Sequence, residues 1–188
     1  MGRSSKSAGQ LLVEVLSITV AVVLGFAATE WGERQRDLAA GQEALAAVER
    51  ELRANHAAVS RSAPYYRTMT AALVDEVESN GDGPLDASRI EEWRGLSPPL
   101  VRSASFQLAL NTGALEHIEF AVADMLSGTY EVQSNLTLAI DQALAAMVAG
   151  DLARFSDWLR VTALLSELTT QSEFALAEAI AALEREGD

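Results

Sequence analysis

Cysteine is absent from this chain. That removes disulfides, thiolate nucleophiles and cysteine-bound zinc at once. Positive charge is scarce: 14 Lys and Arg stand against 27 Asp and Glu, for a net charge of −13. Setting aside Arg3 and Lys6 on the leading stretch leaves −15 for the rest. Nucleic-acid binding needs a basic face to displace counterions, so the balance opposes it. It equally opposes lying flat on anionic lipid. Histidine is limited to His56 and His117. A dinuclear carboxylate bundle needs Glu-x-x-His pairs, and no Glu lies three residues before either His. His56 reads as a helix-surface residue, and His117, beside Glu116 and Glu119, as a local cap or pair. There is no glycine-rich phosphate loop, no dinucleotide fingerprint and no nucleophile elbow. No catalytic residue, metal ligand or cofactor site is therefore expected, and the chain does not read as an enzyme. Proline is limited to four residues, and strand-like alternation is missing, so the fold class is all-α.

What the chain does have is an apolar run from Leu11 to Ala28, 18 residues with Glu14 as their one charge. About 20 residues cross a hydrocarbon core of ~30 Å. Extending the run to Trp31 supplies them, and Trp suits the interfacial belt as an anchor. The Leu, Val, Ile and Phe side chains contribute about −5 kcal/mol to insertion, against a cost for Glu14 that its place in the first turn reduces. The expectation is a single-pass transmembrane helix over 11–31, after a short basic tail at 1–10 and before a helical domain at 32–188. A cleaved leader ending near Gly25-Phe26-Ala27 fits less well, because Glu14 interrupts its apolar region. A soluble core helix also fits less well, because such a helix is seldom apolar all round. Arg3 and Lys6 before the run balance Arg34 and Arg36 after it. The free amine and the acidic remainder then favour a cytoplasmic N-terminus and a periplasmic domain in a bacterial inner membrane.

Beyond the run, no strong breaker appears before about Ser60, which predicts one long helix leaving the membrane. Trp31, Leu38, Leu45, Leu52 and Val59 recur every seven residues. Their companions Arg34, Gly41, Val48 and Asn55 look too polar for a coiled-coil seam, so the stripe is expected to pack on later helices of the same chain. Ser62-Ala63-Pro64 reads as a stop and restart, followed by a short amphipathic helix to about Val77. The stretch from Ser79 to Pro84 reads as a loop. Short helices are expected near Ser88–Arg94 and around Phe106, the latter ended by Gly113. Two long helices follow, split at Gly150-Asp151, and pack with the first as a three- to four-helix antiparallel bundle. Gln133, inside an apolar stripe, is expected to bond a neighbour such as Tyr130. Glu91 and Glu92 read as a solvated face.

The run also has a sided pattern. Glu14, Ser17, Ala21, Gly25, Ala28 and Gly32 recur at three- and four-residue steps and share one helix face. Small residues so spaced let another helix backbone approach closely, and an intramembrane carboxylate normally faces protein. This face is the candidate interaction surface, toward another integral membrane protein complex or a second copy. The alternative is a lipid-facing helix whose Glu14 snorkels to the headgroups.

Glu14, Gly25-Phe26, Glu30-Trp31 and Arg34, with a second stretch from Ser103 to Gln133 containing Thr112-Gly113-Ala114-Leu115, resemble a group of uncharacterised bacterial single-pass membrane proteins. Phe106 stands where members of that group often have Trp. The resemblance implies an anchored, all-helical architecture and carries no activity or catalytic residue. The function expected is a non-enzymatic accessory or scaffold subunit docked by its span into a membrane complex. The alternative is a stand-alone homo-oligomer whose acidic domain binds a periplasmic partner. The bilayer is a partner in both, and nucleic acid in neither.

Overall fold

The structure, a computed structural model, describes the backbone of residues 8–91 and 93–187 and the side chains of 14, 16–91 and 93–185. Most of the basic tail therefore lies outside the described residues, as does Glu92. The described residues contain no strand beyond one isolated bridge, and their regular structure is helical. Four α-helices carry the fold: α1 (Ala8–Asn80), α2 (Ala104–Asn111), α3 (Phe120–Ala149) and α4 (Phe155–Gly187). Two 3-10 turns, Ala87–Arg89 and Ala114–His117, punctuate the connections.

α1 runs for 73 residues, about 110 Å, without a break. The expected stop at Ser62-Ala63-Pro64 does not occur: Pro64 lies inside the helix. Proline removes one backbone bond and crowds the preceding turn, but its neighbours hold the helix together. Ala63, Tyr65 and Tyr66 are all buried, so tertiary packing outweighs the local penalty. Ser62 is no cap; its hydroxyl donates to the Val59 carbonyl at 3.1 Å. The helix ends at Gly81, whose φ of 74° closes it as an αL residue.

Three cross-links set the direction of α4 against α1: Arg53 to Glu184 at 2.8 Å, Ser60 to Glu173 at 2.6 Å, and Asp82 to Arg154 at 2.7 Å. As numbering rises along α1 it falls along α4, so the two are antiparallel. Glu51–Tyr130 and Asn55–Gln133 hydrogen bonds rise together, so α3 lies parallel to α1. The bundle is thus not antiparallel at every pair. The reason is the segment 81–117, which runs back beside α1 from its C-terminal end to the level of Gly41 before α3 begins. The helix expected near Ser88–Arg94 is only the single turn Ala87–Arg89, capped by the Asp86 carboxylate. Between Trp93 and Gly113 only α2 is regular.

The buried positions of α4 are Phe155, Trp158, Thr162, Leu165, Thr169, Ser172, Leu176, Ala179 and Leu183. They alternate three and four apart, which is the seven-residue repeat of a left-handed bundle seam. Thr169 is compatible with it because its hydroxyl donates to the Leu165 carbonyl at 2.7 Å. On α1 the buried positions begin only at Gly41 and include Val48, Leu52, Asn55 and Val59. Of the companion positions that looked too polar for a seam, Gly41, Val48 and Asn55 are therefore core positions, while Arg34 stays exposed. Gly41 qualifies by being small: a Cβ there would lie 3.3 Å from the His117 Cβ and 3.4 Å from the Ala114 carbonyl oxygen. Trp31 and Leu38, which share the stripe, stay exposed.

Candidate functional site on the free-standing helix

Every described side chain from Glu14 to Trp31 is exposed, and so are those from Glu33 to Ala40. This part of α1 touches no other element, and it stands about 50 Å clear of the bundle. The helix is apolar where it stands alone: Leu16, Ile18, Val20, Val22, Val23, Leu24 and Phe26 are all large and exposed. By length and composition it is one helix able to cross a membrane, with none of its apolar window buried.

Because α1 is regular here, Glu14, Ser17, Ala21, Gly25, Ala28 and Gly32 fall on an arc of about 80°. The structure brings these residues onto one strip that faces outward along the free-standing part of α1. A Cβ built on Gly25 or Gly32 meets nothing within 4 Å. Two hydroxyls of the run are satisfied within the helix: Ser17 donates to the Glu14 carbonyl and Thr29 to the Gly25 carbonyl, each at 2.9 Å. Such bonds lower the cost of a hydroxyl in hydrocarbon. Just past Thr29, Glu30 faces Arg34 one turn on at 3.8 Å, flanking the exposed Trp31 ring. A charged pair beside an indole suits a water–hydrocarbon boundary.

The bundle holds a second polar constellation that the sequence reading did not single out. Glu51, buried on α1, accepts hydrogen bonds from the Tyr130 hydroxyl at 2.7 Å, the Ser105 amide at 2.9 Å and the Phe106 amide at 3.4 Å. Ser103, at the start of α2, makes no side-chain cap, so a carboxylate from another helix satisfies the orphan amides of α2. Burial first, and the adjacent Glu51 carboxylate second, hold the Tyr130 hydroxyl above the ordinary tyrosine range. One turn on, Asn55 donates to the Gln133 side-chain oxygen at 2.6 Å and to the Arg102 carbonyl at 2.7 Å, and accepts from the Arg102 amide at 2.9 Å. Gln133 is thus a core amide as expected, but its partner is Asn55, because Tyr130 turns to Glu51. The signal was present in sequence: Glu51 and Asn55 sit four apart beside Leu52, where a helix face turns inward.

His56 is half-buried on α1 beside Ile180 and Glu184 of α4. His117 packs its Cβ toward Gly41. No cluster of three metal-ligating side chains occurs among the described residues. The chain matches no family model, no curated protein and no solved structure.

Proposed function

We propose that the chain is a single-pass, membrane-anchored accessory or scaffold subunit that acts by binding rather than catalysis. In this reading α1 spans a bacterial inner membrane over 11–31, with a cytoplasmic N-terminus and a periplasmic helical domain. The face of Glu14, Ser17, Ala21, Gly25, Ala28 and Gly32 docks into a larger integral membrane complex, with Trp31 at the boundary. The observation that carries the proposal is the length of α1 left bare. An apolar helix whose described side chains are exposed needs lipid or another protein around it, and its small strip admits a close helix contact. The likeness to anchored all-helical bacterial proteins supports the same reading.

Extraction in a mild detergent, followed by sizing and mass spectrometry, tests it. The expected result is a species containing a stoichiometric integral membrane protein, lost in the Glu14→Leu and Gly25→Leu variants. A species containing only this chain would replace the accessory role with self-association. Unchanged size in both variants would remove the strip as a contact. A reporter fused after Asp188 should be active only on the periplasmic side.

A further inference from the structure

A groove of about 500 Å³ lies between α1 and the segment 94–102. On the α1 side its lining includes Asn55, Arg61 and Tyr65, with the small Ala54, Ala58 and Ser62 between them. The crossing segment is clamped at both ends. The Tyr65 hydroxyl donates to the Gly95 carbonyl at 2.7 Å and accepts from the Arg94 amide at 3.1 Å. Asn55 grips both backbone groups of Arg102. The clamps sit ten residues apart on α1, about 15 Å, whereas an extended segment of this length containing Pro98-Pro99 reaches about 25 Å. The surplus lets the segment bow away from the helix and leave a groove beneath it.

The groove is cationic in an acidic protein. Arg61, Arg94 and Arg102 line it, and no Asp or Glu does so among the described residues. Elsewhere Arg53, Arg89, Arg154 and Arg160 each pair with a carboxylate of the chain. The three groove arginines have other restraints. Arg61 Nε donates to the Ala57 carbonyl at 2.9 Å, the Arg94 guanidinium lies 4.6 Å over the Tyr65 ring, and Arg102 is fixed through its backbone. Planar guanidinium forks such as those of Arg61 and Arg94 suit carboxylate or phosphate oxygens, and Arg102 adds a third on a fixed backbone.

We propose that this groove binds a soluble small anion carrying two or more carboxylate or phosphate groups. Three guanidinium groups call for more than one anionic group, and the volume falls within the usual range for small-molecule sites, about 300–1,000 Å³. Asn55 lies 24 residues beyond Trp31 on one unbroken helix, about 36 Å. A lipid headgroup at the Trp31 level therefore does not reach it. The anion site itself does not depend on the docking role of the span.

Calorimetric titration of the full chain in mild detergent with citrate and with pyrophosphate tests this, with acetate as the single-charge control. The expected result is saturable binding of at least one of the two, weakened by added salt and weakened about tenfold or more by Arg61→Gln, Arg94→Gln or Arg102→Gln. Arg67→Gln, on α1 but outside the groove, should bind as the parent does. The three groove side chains are exposed, and Arg102→Gln keeps its backbone clamp, so these variants should retain the parent urea midpoint. Repeating the titration in nanodiscs of neutral and of anionic lipid separates the two sources of such a group. Equal affinity supports a soluble ligand, and competition by the anionic lipid overturns it. Binding of neither probe above acetate, or binding that survives the triple variant, also overturns the proposal.

Discussion

A buried carboxylate is costly unless its oxygens are fully used, and Glu51 meets that condition with three donors from two other elements. Removing it leaves the Tyr130 hydroxyl and two α2 amides unpaired in the core. Glu51→Ala should lower unfolding stability by about 2–4 kcal/mol in urea, since each orphaned buried group costs about 1–3 kcal/mol. Glu51→Gln should cost less, because one acceptor oxygen remains. A second expectation follows from the tyrosines. Burial pushes the Tyr66 hydroxyl up to about 12 from 10.0, and Tyr130 is raised as well. Above about pH 10 the unfolded chain loses these protons while the folded chain keeps them, so the native state binds more protons. Stability is then fully present below pH 10 and falls as pH rises through the folded-state values. Urea midpoints measured across this window should decline, with a shallower slope in Tyr66→Phe.

At the scale of elements, α1 overrides its own local signals. Pro64 looks like an interruption, yet it lies within one helix. Pro64 is exposed, so replacing it alters backbone bonding and not the core. Pro64→Ala should restore the missing bond and raise stability by about 1–3 kcal/mol, checked by urea unfolding. Heptad positions were readable in sequence as far as their spacing went. Their polar occupants were not, because an Asn or Glu at a seam reads as surface until its partners on other elements are known. Ser103–Phe106 and Tyr130–Gln133 are far from Glu51 and Asn55 in sequence and adjacent only after folding. The helix expected near Ser88–Arg94 failed for a related reason. That stretch is held by tertiary bonds, among them the Arg89–Glu76 pair and the T-shaped Trp93–Trp158 contact at 4.8 Å, and these replace helical bonding.

For the molecule as a whole, the free-standing part of α1 and the bundle are separate in packing although continuous in backbone. Residues 8–40 contribute no side chain that the structure shows as buried. A chain beginning at residue 38 should therefore fold with the stability of the full protein to within about 0.5 kcal/mol, as expected for changes away from packed features. It should also remain in solution without detergent. Loss of the urea transition in that fragment would mean that the bare helix supports the core.

The apolar run, its sided strip of small residues with Glu14, the all-helical class and the breaks at Gly113 and Gly150 were determined by the sequence alone. Each rests on composition or on short-range spacing, which a chain carries without folding. Only the tertiary structure decided that α1 passes through Pro64, that α3 lies parallel to α1, that Glu51 and Asn55 are interior, and that three arginines frame one groove. Those outcomes depend on residues as far as 131 positions apart meeting across helices. Local preference is worth about 1 kcal/mol or less per ordinary residue, and such long-range packing readily outweighs it.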